Sequence, residues 1–426
     1  MQAIDYLAAP ALAVTPVAAP LNGAVTPPGS KSITNRVLLL AALAKGSSRI
    51  TGALKSDDTR LMAAALRAMG VAVDEPDDTT FSVAGSGRLT QPDASLFLGN
   101  AGTATRFLTA AVACIDGTTV VDGDEHMRKR PIGPLVEALR SMGGDAETAT
   151  GCPPVTVNGN GIIPGGRVEI DGGLSSQYVS AILMVAPLAR DVVEIALTGP
   201  KIGARGYIDL TIEAMRAFGA RVSQDGDATW RVEPGGYVAT DHHVEPDASA
   251  ATYLWAAEKL TGGSIDIGTA AVAFTQPDAA AHVAMARFPA MDAVIDGSQM
   301  QDAIPTLAVL AAYNATPVRF TGIANLRVKE CDRIQALSEG LNRIRPGLAV
   351  EEGDDLVVHA DPSLAGATVD ARIETFADHR IAMCFALAGL MTAGIVILDP
   401  GCVSKTYPGY WDALASLGVG LAPVSA

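Results

Sequence analysis

Charge and aromatic rings are scarce in this sequence: 18% of its 426 residues are Asp, Glu, Lys or Arg, and 5% are Phe, Trp or Tyr. With 49% hydrophobic residues, that composition excludes extensive disorder and fits helices packed on more than one side. Cysteine is scarce too. The five copies, Cys114, Cys152, Cys331, Cys384 and Cys402, show no C-x-x-C spacing, which argues for reduced thiols in a cytoplasmic protein. Apolar runs such as Val37–Ala44 and Ala181–Leu188 are far shorter than the roughly 20 residues a membrane helix needs. No Lys or Arg precedes Lys31, so the cationic start of a secretion signal is missing. Positive charge is in deficit, with 31 Lys and Arg against 46 Asp and Glu and a formal net charge of −15. That balance argues against nucleic acid or an anionic membrane as a partner.

What the chain does have is a repeat. Six times a polar opening leads into an apolar, helix-length run, a turn, a strand-like run and a Gly, over Ser30–Gly52, Asn100–Gly123, Ser175–Gly199, Asp247–Gly268, Asp302–Gly322 and Asp378–Gly401. The runs are too apolar for surface helices and are expected to be buried, while the Ser, Asn and Asp openings read as N-caps. Buried helices with polar, positively polarised mouths are suited to holding anions.

A second set of segments alternates with the first: Asp58–Gly70, Ile132–Gly143, Asp209–Gly219, a poorer match at Asp278–Phe288, Arg333–Arg343 and Trp411–Gly418. Apolar residues at i, i+3, i+4 and i+7 make these amphipathic, and most end at Gly. The repeating unit is therefore β-α-β-α-β-β. The expected fold is a two-domain, inside-out α/β barrel in which each domain wraps three units, with apolar helices inside and sheets outside. The expected lobes are 1–22 with 245–426, and 23–244, joined by a hinge near 21–24 and 242–245. His242 and His243 lack a third ligand at metal-binding spacing and read as linker; no metal or cofactor is expected.

Cations gather at the openings of the repeats and in short motifs, against the dipole preference of helix starts. Pro27–Arg36, PPGSKSITNR, is not a Walker A loop because Ser30 separates Gly29 from Lys31; it is a glycine turn feeding a helix whose first turn carries Lys31, Ser32 and Arg36. In LGNAGTATRFL, Gly102 lets a ligand oxygen approach the chain with no Cβ in the way. RKRPI places Arg130 before a proline that keeps it extended. NLRVKECDR packs three cations and two acids into nine residues. With Asp378–Arg380 and Ser404–Tyr407 it forms a set able to grip a carboxylate through Arg and a phosphate through Lys.

On the segments PGSKSITNR, LGNAGTATR, RPIG, SSQY, YID, RVKECDR, DHR and SKTYPGY, which run from Pro28 to Tyr410 in this order, the chain closely resembles the 5-enolpyruvylshikimate-3-phosphate synthase family. The resemblance implies transfer of the enolpyruvyl group of phosphoenolpyruvate to the 5-hydroxyl of shikimate 3-phosphate, with release of phosphate and without metal or redox cofactor. It places Ser32 and Arg36 on the shikimate carboxylate and Ser175 and Ser176 on its phosphate. Lys31, Gln177, Tyr207, Asp302, Asn325 and Lys329 complete that site. Lys31, Gly102, Arg130 and Lys405 fall around the phosphate of phosphoenolpyruvate, Arg333 and Arg380 on its carboxylate, and Gln177 beside it. Asp302 corresponds to the acid/base beside the 5-hydroxyl. Glu330 and Lys31 are the candidates for the methyl and phosphate protons, in either assignment. The partners are then two small anions, acting on a monomer whose site is completed by closure.

The chain leaves the family pattern at two places. Thr105 and Phe107 stand where Met and Pro are usual, so the packing behind Gly102 differs and Gly102 alone does not fix sensitivity to glyphosate. Ala204-Arg205-Gly206 replaces a phosphate-binding Ser context, so either one contact is missing or Arg205 takes its place. Two other readings are a UDP-N-acetylglucosamine enolpyruvyl transferase, whose loop cysteine has no counterpart here, and a non-catalytic anion-binding protein, to which Asp302 and Glu330 would bring nothing.

Overall fold

The structure, a computed structural model, describes residues 4–173, 175–199 and 203–425. Contacts divide the chain into two units, 1–28 with 246–426 and 29–245. Each has its own continuous apolar core. Unit 29–245 contains helices α1 (Lys31–Leu43), α2 (Asp57–Ala68), α3 (Gly102–Ala111), α4 (Gly133–Ser141), α5 (Ser176–Val185) and α6 (Arg205–Ala217). The other unit contains α7 (Ala248–Thr261), α8 (Ala281–Met285), α9 (Ile304–Ala312), α10 (Arg333–Ile344), α11 (His379–Gly389) and α12 (Tyr410–Ser416).

The helices of the apolar runs separate from the others by burial: every residue of α3, α9 and α11 is buried. In α1 only Ser32 escapes. These are the apolar runs of the repeat, packed helix on helix, α3 against α1 and α5, and α11 against α7 and α9. Truncating a leucine such as Leu39, fully buried in α1, to alanine would cost about 2–5 kcal/mol. By contrast α2, α4, α6 and α10 bury one face and expose the other, as their amphipathic period requires. The weakest amphipathic segment, 278–288, yields only a 3₁₀ turn and the five-residue α8.

The sheets repeat one order: a parallel pair continued by an antiparallel hairpin. Gly166–Asp171 pairs in parallel with Val193–Thr198, which pairs antiparallel with Thr229–Val232 and through it with Val222–Asp225. Val294–Asp296, Val318–Thr321, Asp355–Val358 and Ala349–Glu352 do the same. One sheet borrows the N-terminal strand Ala11–Thr15, held between Ala393–Leu398 and Gly420–Val424. The fourth repeat is reduced to a two-stranded parallel pairing of Ser264–Asp266 with Asn22–Ala24. That pairing keeps the chain in this unit past 21–24, and it leaves after Pro28. The architecture is the two-domain inside-out α/β fold expected from the repeats.

The N-cap expectation holds at four of the six openings: Ser30, Ser175, Asp247 and Asp378 accept a first-turn backbone N–H. It fails at two. Helix α3 starts after Ala101 without a side-chain cap, because the Asn100 amide oxygen accepts from Arg130 at 3.0 Å. Asp302 sits in a 3₁₀ turn before α9, its carboxylate taken by Arg333 and Arg380.

Candidate active site

The candidate residues form two sets, one in each unit. In unit 29–245, the start of α1 delivers Lys31, Ser32 and Arg36. Lys31 lies 3.5 Å from Asp58, a buried carboxylate in the first turn of α2, where the helix dipole favours negative charge. Arg36 is 2% exposed, and among the described residues its donors reach only neutral acceptors: Thr211 Oγ1 at 2.7 Å, the Ser32 carbonyl at 2.8 Å, and Ser180 Oγ and the Tyr207 carbonyl at 3.2 Å. Burial, only partly offset by the Tyr207 hydroxyl, lowers the Arg36 pKa from 12.5 to about 10,. A guanidinium in that state gains from any anion that reaches it.

The start of α3 gathers two more arginines. Arg106 donates to the Gly102 carbonyl at 2.9 Å and to the Pro131 carbonyl at 3.2 Å, and Tyr178 Oη donates to the latter at 2.6 Å. Gly102 is needed for this packing, since a Cβ there would lie 2.7 Å from Arg106 Nη1 and 2.8 Å from Arg130 Cζ. The Gly102 N–H donates to the Asn100 carbonyl at 3.0 Å. Gln177, in the first turn of α5, reaches Thr103 at 3.3 Å. Ser175 caps that helix, and Ser176 is buried in its first turn. Arg205 is occupied by Asp209 at 3.0 Å, the Asp227 carbonyl and the face of Trp230.

In the other unit, four cations meet three carboxylates. Arg333, 1% exposed, donates to Asp378 at 2.7 Å, Glu330 at 2.8 Å and Asp302 at 3.1 Å. Arg380 reaches Asp302 at 2.9 Å, Lys405 reaches Glu330 at 3.1 Å and Lys329 lies 3.9 Å from Asp302. Burial pulls the Arg333 pKa down, but Asp378, Glu330 and Asp302 together outweigh it and hold the value above the usual range. The turn delivering Asp378 is strained: Phe376 and Ala377 both adopt left-handed backbone, φ 52° and 53°, at about 1–3 kcal/mol each. Asn325 donates to Gln301. Arg327, from the same charged loop, faces away from this set toward Asp332, Glu351 and Asp354.

The profile of EPSP synthase (3-phosphoshikimate 1-carboxyvinyltransferase) matches residues 16–297 and 290–414. The chain belongs to the EPSP synthase family. A 3-phosphoshikimate 1-carboxyvinyltransferase of Pseudomonas syringae pv. syringae is 71% identical over 408 residues, 96% of this chain and 98% of the relative. One from Rhizobium etli is 70% identical over the same length, 97% of the relative. The solved EPSP synthase of Acinetobacter baumannii superposes with a TM-score of 0.78 at 25% identity, covering 98% of this chain and 100% of that one.

The expected site residues divide between the units: Lys31, Ser32, Arg36, Gly102, Arg130, Ser175, Ser176, Gln177 and Tyr207 belong to unit 29–245, and Asp302, Asn325, Lys329, Glu330, Arg333, Arg380 and Lys405 to the other. Sequence reasoning read Asp378 as the cap of α11, which it is, accepting from the Arg380 N–H at 2.8 Å, but gave no sign that the same carboxylate holds Arg333. Asp58, Ser180 and Thr211 were missed because long-range folding alone brings them to Lys31 and Arg36. The Cys114 thiol is pushed up to about 12 by burial, which makes it a poor nucleophile.

Proposed function

We propose that the protein is a 3-phosphoshikimate 1-carboxyvinyltransferase, moving the enolpyruvyl group of phosphoenolpyruvate to the 5-hydroxyl of shikimate 3-phosphate. The observation that carries the reading is the near-full-length 71% identity to a relative of that name; the charge arrangement in both units supports it. Arg36, buried among neutral acceptors, takes the shikimate carboxylate with Ser32, and Ser175, Ser176, Gln177 and Tyr207 line the same substrate. Asn325 and Lys329 complete it. Lys31, Gly102, Arg130 and Lys405 take the phosphate of phosphoenolpyruvate, beside Gln177. Arg333 and Arg380 take its carboxylate, which must share them with Asp302.

The reaction is an addition followed by an elimination. The 5-oxygen bonds to C2 of phosphoenolpyruvate as the hydroxyl proton passes to Asp302 and a proton is delivered to the methylene carbon. The tetrahedral adduct then loses that methyl proton and expels phosphate, which leaves with a proton. Lys31, held by Asp58, and Glu330, held by Arg333 and Lys405, exchange protons with the methylene carbon and the leaving phosphate. Fixed cations around the developing charge supply the larger part of the acceleration. A corollary is that shikimate 3-phosphate draws the two units together, as a smaller radius of gyration in small-angle scattering; an unchanged radius counts against closure.

The test is phosphate release from phosphoenolpyruvate with alternative acceptors. Release is expected with shikimate 3-phosphate and not with UDP-N-acetylglucosamine. The reverse pattern identifies the sister transferase, and no release with either acceptor leaves an anion-binding protein.

A further inference from the structure

Phe107 is fully buried in α3. Its ring lies under the guanidinium of Arg36, with Cζ 5.2 Å from the ring centroid, and the Tyr207 ring lies 5.7 Å from the same carbon. Both distances are within the roughly 6 Å over which a ring quadrupole attracts a cation. Among the described residues no carboxylate contacts Arg36; its hydrogen bonds go to hydroxyls and carbonyls from α1, α5 and α6. The aromatic faces therefore supply the negative potential that an acid would otherwise give a buried cation.

The other unit shows what the alternative entails. There Arg333 and Arg380 are held by Asp302, and an incoming carboxylate competes with an anion already in place. A ring face orients the guanidinium and eases its burial without neutralising it, so the positive field stays available. We infer that Phe107 is a positioning residue for Arg36, holding the guanidinium unneutralised and aimed so that it receives the carboxylate of the shikimate substrate. This rests on the proposed substrate assignment.

The experiment is calorimetric titration of the full chain with shikimate 3-phosphate, using phenylalanine analogues installed only at position 107. One, two and three ring fluorines drain the quadrupole stepwise while scarcely changing the volume. The dissociation constant is expected to rise with each fluorine, and Phe107→Leu is expected to weaken binding by about three- to thirtyfold, with the KM for phosphoenolpyruvate unchanged. A merely structural role would give flat affinity across the fluorinated series, since those side chains still fill the core, and that result overturns the inference. The fluorinated set also preserves the test if the leucine variant misfolds. If the unsubstituted protein binds no shikimate 3-phosphate, the substrate assignment fails, and the inference with it. A flat series in a protein that binds the ligand overturns the role of Phe107 alone.

Discussion

Replacing Arg36 with methionine separates binding from stability in a way few buried arginines allow. The lowering of its pKa from 12.5 to about 10 corresponds to about 3 kcal/mol against the charged, folded form, at about 1.4 kcal/mol per pH unit. At neutral pH the group is protonated both folded and unfolded, so this cost is present in full, and it fades only as the pH rises past 10. Methionine removes it. Against that gain stand the lost hydrogen bonds, but the acceptors keep other partners: Ser180 and Thr211 hydroxyls are 2.8 Å apart, and the Thr211 hydroxyl donates to the Tyr207 carbonyl at 2.8 Å. Lost contacts and the shorter side chain together cost about 2–3 kcal/mol, so the net change lies within about 1 kcal/mol of zero. Arg333→Met is the contrast. It strips Asp378, which is fully buried, of its guanidinium and should cost about 3–5 kcal/mol. Scanning calorimetry should therefore show Arg36→Met melting within about 3 °C of the unsubstituted protein, and Arg333→Met about 10 °C lower. In titration, Arg36→Met should lose at least a hundredfold in affinity for shikimate 3-phosphate, the loss expected for two charge-assisted hydrogen bonds. A large loss of stability with affinity kept within threefold would refute the reasoning.

Gly102→Ala should raise the KM for phosphoenolpyruvate about tenfold or more with little change in melting temperature, because the added Cβ displaces the flexible ends of Arg106 and Arg130 rather than backbone; a KM within twofold would contradict this. Asp302→Asn should lower kcat by about 10²–10⁴ without raising the KM for phosphoenolpyruvate, since the amide no longer competes for Arg333 and Arg380. An unchanged kcat would remove Asp302 from the proton transfers. Burial, then the neighbouring His243, holds the His242 imidazole below its ordinary 6.5. The folded state thus binds this proton less readily than the unfolded state, and stability is full above about pH 6.5 and lost as the pH falls through the lower folded value. His242→Gln should shrink the drop in melting temperature between pH 7 and pH 5, and an undiminished drop would assign the acid sensitivity elsewhere.

The fold was legible because its helices declare themselves twice, as apolar runs with polar openings and as amphipathic segments ending in Gly. What the sequence concealed was how polar side chains are spent. Asn100 and Asp302 look like caps, yet each is drawn off by an arginine whose charge-assisted bond outcompetes a single backbone N–H,. The cations of NLRVKECDR look equivalent, but only folding separates Arg327, held by acids outside the set, from Arg333, held by those within it. Phe107 looked like a change in packing behind Gly102, and its contact with Arg36 needs α3 and α1 to be neighbours.

The most direct measurement is the identity of the product. Phosphoenolpyruvate labelled with ¹³C at C2, incubated with the protein and shikimate 3-phosphate, should transfer its label into an enol ether on the 5-oxygen of the shikimate ring, with one inorganic phosphate released per transfer in the ³¹P spectrum. Label that stays in phosphoenolpyruvate, or phosphate released without the enol ether, would contradict the account.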